Sequence, residues 1–248
     1  PILVLGPARS ARAPSAARAR TRARPRLPAH PPSWLPNQPT SDCPHCCREG
    51  ERAGGPRWGS ASASDATRDE VLVQQYIASL NSTEPRRFDF LFLTSSHASY
   101  NYPPEYARFK PLPVVEGGYA LDRQADAAPY KNDYYNSLYY TDALIGKVLA
   151  AADKQGHLKN TWVIITGDHA EEFNENGLGF WGHGSNFSRW QTQTPMIIRA
   201  PRQAAGKIET RLSLHQDVVP TLMQRALGCA SPVTAYSNGA DLFGLPEK

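Results

Sequence analysis

The chain has 248 residues, a formal net charge of +4 and an apolar fraction of 40%. That length suits one large domain or two small ones, and no apolar run approaches the roughly 18 residues that a membrane-spanning helix needs. The charge is unevenly spread. Residues 1–64 hold ten Arg, no Lys and three acids, a balance of +7, whereas the remainder carries 17 basic and 20 acidic side chains, or −3.

Eleven of the 22 Pro also fall in 1–64. Proline at this density blocks helix and sheet ladders, and few large apolar side chains are present to offset ordering entropy. Residues 1–64 are therefore expected to be a disordered Arg/Pro/Ala-rich segment. Ten Arg without a Lys is also what out-of-frame translation of GC-rich DNA produces. A nucleic-acid arm would interleave aromatics or carry a binding motif. Neither accompanies the arginines, so nucleic acid is not an expected partner. The stretch Cys43-Pro-His-Cys46-Cys47 supplies half a zinc ribbon, but the remaining cysteine is the distant Cys229. A structural zinc takes two such pairs. One thiol beyond residue 64 also excludes a disulfide framework there. The opening Pro1-Ile-Leu-Val-Leu-Gly6 is too short for a signal-peptide core. No initiator Met precedes it, and the chain is expected to be a fragment.

From about residue 65 the texture changes. In 67–82 the apolar Val71, Val73, Tyr76, Ile77 and Leu80 fit a helix with acids in its first turn. The run 88-FDFLFLT-94 is apolar almost throughout, as expected of a strand covered on both faces. Residues 95–130 read as a long Pro-, Gly- and Tyr-rich loop, and loops of that length are usually functional. Helical spacing resumes over 131–155 through Leu138, Asp142, Ile145 and Leu149. Strands are expected at 161-TWVIIT-166 and 195-PMIIRA-200. Ser213 and Gln216 form a capping-box pattern for a helix over about 214–227, which Pro220 kinks or splits. Strands alternating with helices imply an α/β layered fold with a mostly parallel central sheet.

In open α/β sheets ligands bind beyond the carboxyl ends of the strands. Two strands end in polar clusters, 94-TSSHASYNYPP-104 and 166-TGDHAEEFNENG-177, and both are expected to open on the same sheet edge. Gly167 permits a turn that lets Asp168 and His169 reach one cation. Carboxylate plus imidazole suits a borderline divalent metal, although Asp168 capping a following helix explains the dipeptide as well. His183 lies between glycines in 181-WGHGS-185, and His97 follows the first strand. Three histidines and an aspartate at one edge favour a site for an anionic ester. Glu171, Glu172 and Glu175 are either acceptors behind the metal ligands or a solvated helix start. His215 and Asp217 are read as helix caps, His157 as a partner of a helix C-terminus. The aromatic residues of 130–140 line a substrate groove or pack on the sheet.

The order of His-Ala-Ser-Tyr, a Tyr-rich helix, Gly-Asp-His-Ala-Glu-Glu, Gly-His-Gly, Thr-Pro-Met-Ile-Ile-Arg-Ala-Pro and Asp-Val-Val-Pro-Thr-Leu over 65–248 resembles the sulfatases of the alkaline phosphatase superfamily. It looks most like bacterial inner-membrane sulfatase-like hydrolases and transferases. The resemblance implies that Asp168 and His169 are a metal-ligand pair, and that His97 and His183 contact the transferred group. Ser99 stands where the family's His-x-Pro motif has Pro. It further implies a divalent metal (Zn, Mn, Mg or Ca) and an anionic sulfate or phosphate ester as substrate, lipid-linked esters included. The full-length parent is implied to be anchored in the inner membrane with this domain in the periplasm. The family draws its nucleophile and remaining metal carboxylates from an N-terminal half that 1–64 does not match. The expectation is the C-terminal part of the domain, inactive alone, with a non-catalytic periplasmic head-group- or partner-binding domain as the alternative.

Overall fold

A computed structural model describes the backbone of residues 2–7 and residues 64–82, 86–114, 123–203 and 205–244. Most of the segment expected to be disordered, including Cys43, Cys46 and Cys47, lies outside the described residues. Within that segment Ile2–Pro7 is a strand, β1. The described residues up to Lys207 form one compact unit and those from Ile208 onward belong to another.

In the first unit, helix α1 spans Asp65–Ser79, and the Ser64 side chain accepts a hydrogen bond from the Thr67 amide. An N-cap of this kind satisfies an amide that the helix itself leaves free. Strand β2, Asp89–Phe92, follows. The 27-residue helix α2, Ala128–Lys154, then crosses to strand β3, Thr161–Thr166. The hydrophobic core joins Val73, Tyr76 and Leu80 of α1, Leu91 of β2, and Tyr140, Leu144 and Val148 of α2, with Val163 of β3 closing it. Each such side chain contributes about 1.5–3 kcal/mol on burial.

The buried face of α2 is not the stripe that its aliphatic spacing suggests. Leu144 and Val148 are buried together with Asn136, Ser137 and Thr141, whereas Asp142 is exposed and Leu138 and Leu149 are only partly covered. The polar members tolerate burial because they are satisfied locally. Ser137 Oγ donates to the Tyr134 carbonyl and Thr141 Oγ1 to that of Ser137. Asn136 accepts from the Phe109 amide and donates to the Phe109 carbonyl, pinning the loop after β2 onto the helix. His157 partners a helix C-terminus, but that of α1 rather than of the adjoining α2: its Nε2 lies 2.9 Å from the carbonyl of Leu80, the C-cap of α1.

The sheet runs β2-β1-β3-β6, where β6 is Met196–Arg199. It departs from the mostly parallel sheet expected. β1 pairs antiparallel with both β2 and β3, and β3 pairs antiparallel with β6. The β3–β6 connection holds only the hairpin of β4, Glu172–Phe173, with β5, Trp181–Gly182, and the single turn α3, Arg189–Thr192. Without a long crossover helix the chain returns antiparallel. β2 and β3 still point the same way, since each opposes β1. β2 also differs from the fully covered strand expected: Leu91 is buried, but Phe90 and Phe92 are 55% and 38% exposed.

In the second unit the helix expected over 214–227 is divided. A 3-10 turn at His215–Asp217 leads into α4, Val218–Thr221, which widens into a π-helical turn at Leu222–Ala226 just beyond Pro220. The cap is not Ser213 with Gln216: the Asp217 carboxylate accepts the amides of Leu214 and Ala240. Farther on, Arg225 makes a forked pair with Asp241 at 2.6–2.9 Å.

Two outcomes follow from these packings. Leu144 is fully buried, so Leu144→Ala should cost about 2–5 kcal/mol in urea unfolding. Partial burial opposes ionisation of Asp241, but its hydrogen bonds with Arg225 prevail and hold the carboxyl below its ordinary value of 3.8. A depressed folded value means the stabilisation is present above that ordinary value and lost as pH falls through the lowered one. Asp241→Asn should therefore lower stability at pH 7 by no more than about 1 kcal/mol for so exposed a pair. The gap to wild type should close as pH falls below the lowered value, as melts across pH will show.

Candidate functional site

The shared direction of β2 and β3 sends their carboxyl ends to one sheet edge, where both polar clusters emerge as expected. After β2 the chain makes a compact turn. The His97 amide donates to the Thr94 carbonyl, the Tyr100 amide to that of His97, and the Asn101 amide to that of Ser95. Asp69, on α1 and 1% exposed, anchors the start of this turn. Its carboxylate accepts the amides of Thr94 and Ser95 and both of their hydroxyls.

After β3, residues 167–171 form bends rather than a helix, so Asp168 does not cap a following helix and Glu171 and Glu172 do not begin one. A methyl group on Gly167 would lie 3.0 Å from the His169 carbonyl and 3.3 Å from the Thr194 side chain. Any larger residue in this bend would have to push those neighbours back by a few tenths of an ångström. His183 sits just after β5, between Gly182 and Gly184 at φ of 77° and 78°. Left-handed backbone on both sides is what the two glycines supply.

The structure brings together His97, His169 and His183. The rings of His169 and His183 stack at 3.8 Å, and that of His97 meets His183 edge-on at 5.4 Å. Glu171, its side chain 5% exposed, joins the loops: Oε2 lies 2.9 Å from His183 Nδ1, and Oε1 accepts from the Tyr100 hydroxyl at 2.9 Å. Asp168 lies 3.7 Å from His169, with its side chain 47% exposed. Among the described residues, His169, Glu171 and His183 each offer a metal-ligating atom within 4.8 Å of the others. Asp168 is outside that group.

All three imidazoles are tied in the same sense. Nδ1 of His97 faces the Ala98 carbonyl at 2.7 Å, Nδ1 of His169 the Ala170 carbonyl at 3.0 Å, and Nδ1 of His183 the Glu171 carboxylate at 2.9 Å. An acceptor at Nδ1 places the proton there and leaves the Nε2 lone pair free, as metal-ligating histidines require. At His169 that lone pair faces Asp168 Oδ2 across 3.7 Å. A proton on Nε2 or a bound cation would bridge the two. One wall is aromatic. Tyr134 lies 5.4 Å from the Tyr100 ring and 5.5 Å from that of Phe173. Burial, with the nearby Glu171 charge, pushes its phenol up to about 12, so it stays neutral. The aromatic residues of 130–140 thus pack partly behind the cluster.

Glu171 was one of two open readings from sequence, and Tyr100 was not singled out as a site residue. Their bond spans 71 positions, beyond the reach of any local pattern.

A family model described as Sulfatase matches residues 19–229. That is most of the chain, and the chain belongs to the sulfatase family. It is 34% identical over 115 residues to "Inner membrane protein YejM" of Salmonella typhimurium, a match covering 46% of this chain and 19% of that protein. It is 34% identical over 110 residues to "Uncharacterized sulfatase YidJ" of Escherichia coli, covering 42% and 21%. Steryl-sulfatase of Mus musculus is 30% identical over 126 residues, covering 45% and 20%. The chain thus spans about a fifth of the length of the curated relatives it matches. Sulfatases generally use a divalent metal and act on anionic sulfate esters, and the donor set of two imidazoles and a carboxylate suits such a cation. Among the described residues, no helix is long and apolar enough to cross a membrane.

Gly184 has open space around its α-carbon but a left-handed φ. Gly184→Ala should therefore cost about 1 kcal/mol from backbone alone, and Gly184→Asn less, because asparagine enters that region more readily. Urea unfolding of the two variants measures the difference.

Proposed function

We propose that residues 65–248 are the C-terminal part of a sulfatase-type catalytic domain, and that the histidine cluster is one wall of its metal and anion site. The observation that carries this reading is the common orientation of the three imidazoles around Glu171. In this reading His169, with Asp168 or Glu171, holds a divalent cation, and His97 and His183 contact the transferred group of a sulfate or phosphate ester. The cation supplies charge that polarises the ester oxygens. The residues of this chain orient one another: Ala98 and Ala170 hold their neighbouring rings through carbonyls, Glu171 holds His183, and Tyr134 and Phe173 exclude water from one side.

In this reading the nucleophile and the remaining carboxylates come from the N-terminal part of the domain. The full-length parent is the hydrolase or transferase. The name of the Salmonella relative, an inner membrane protein, supports a parent held in the inner membrane with this domain on the periplasmic side, where a lipid-linked ester is within reach.

Calorimetric titration of the chain with Mn²⁺ and Zn²⁺ tests the metal. One site is expected, weakened tenfold or more by His169→Ala. A flat wild-type titration would sink the metal reading. In the full-length protein His183→Ala should lower ester turnover by about 10²-fold or more, the scale of a lost charge-stabilising group. Metal binding without any turnover by the full-length protein would favour a non-catalytic binding domain.

A further inference from the structure

The consecutive acids Glu171 and Glu172 meet the chain where β4 begins, and successive residues of a strand point to opposite sides. Glu171 turns toward Tyr100 and His183. Glu172 turns the other way and is fully buried, at 0% exposure. Its Oε1 accepts Asn176 Nδ2 at 2.9 Å. Its Oε2 accepts Asn186 Nδ2 at 2.8 Å, Ser188 Oγ at 3.0 Å and Gln191 Nε2 at 2.8 Å. All four donors are neutral. A carboxylate buried this deeply is tolerated only if such donors surround it, so the charge dictates where they stand.

Those donors come from both sides of His183 in the chain. Asn176 precedes it, and Asn186, Ser188 and Gln191 follow. The grip then passes on through Gln191, whose Oε1 accepts the amides of Ser185 and Asn186 at 3.1 and 3.2 Å and whose Nε2 also donates to Ser185 Oγ at 2.8 Å. On the near side, Glu172 is the register partner of Gly182 in the β4–β5 pair. The backbone is therefore held immediately before His183 and two residues after it. Between those points stand only His183 and Gly184.

We propose that Glu172 is a positioning residue for His183: it sets where the ring stands against His169 and Glu171 by closing the loop around its own buried charge. The geometric claim stands on these contacts alone. Its consequence for ligand binding rests on the metal-site reading above.

The test is Glu172→Gln in the 248-residue chain. The amide keeps one acceptor but presents an NH₂ group toward donors. In the metal-free protein, hydrogen exchange at the Ser185 and Asn186 amides should accelerate at least tenfold. The His183 imidazole nitrogen resonances should move toward those of a free imidazole, with those of His157 unchanged. Mn²⁺ affinity should fall about tenfold. Gln191→Met, which cuts the link to 185–186 but leaves the carboxylate, should reproduce the His183 change and carries the test if Glu172→Gln does not fold. Unaltered His183 resonances in a folded variant, even one of lowered melting temperature, would overturn the proposal and leave Glu172 a purely structural residue. A wild-type chain that binds no Mn²⁺, but whose variants still release His183, overturns the metal reading and supports the positioning role.

Discussion

One carboxylate joins the two loops that make the site. Glu171 spends one oxygen on the Tyr100 hydroxyl, from the loop after β2, and the other on His183, from the hairpin after β3. Remove it, and His97 and His183 belong to separate loops with no polar tie between these side chains. The bridge is possible only because β2 and β3 run the same way. Had β3 been reversed, Tyr100 and Glu171 would emerge from opposite edges of the sheet. The strand direction is a consequence of α2, whose 27 residues carry the chain back along the sheet before β3 begins.

The same device recurs at other points where a loop must hold its shape. Asp69 gathers the amides and hydroxyls of Thr94 and Ser95, Glu172 gathers four side-chain donors, and Asp217 gathers the amides of Leu214 and Ala240. Each is nearly or wholly buried, and each is met by the neutral donors named here. A buried carboxylate must be surrounded, or desolvation makes it very costly. Acids of this kind therefore act as templates: the segments around them have few alternative conformations that satisfy the charge. The described aliphatic core accounts for α1, α2 and one face of the sheet. The loops take their order from these acids.

What could be read from sequence follows from the range of the interactions. The helices at 65–79 and 128–154 and the strands at 161–166 and 196–199 were legible because period and composition are local. The buried stripe of α2 was misread because Asn136, Ser137 and Thr141 count as polar, although the latter two satisfy themselves within the helix. The direction of pairing was misread because it depends on what fills the place between β2 and β3. Ile2–Pro7 occupies it, from a segment whose composition argued for disorder. His97, His169 and His183 were legible as a set through their positions at strand ends. Asp168 adjoins the set through His169 but stands outside the group of possible metal ligands among the described residues. The role of Glu171 needed the coordinates, since a carboxylate after a strand looks alike whether it caps, ligates or bridges.

The tautomers decide what the site wants. Three rings that each spend Nδ1–H on a fixed acceptor present Nε2 lone pairs in their neutral form, and the neighbouring side chains of Asp168 and Glu171 present oxygens. Such a cluster is rich in electron pairs and poor in donors. It would repel a bare anion more than it would hold one, unless a cation or added protons intervened. In a family whose substrates are anionic esters, that ordering has a consequence. A cation held by these residues would offset their electron pairs and so allow an anionic group beside them. A cluster assembled on the anion alone would have been built from lysines, arginines and free amides. Histidines tied through Nδ1 are instead the arrangement that cation-binding sites use.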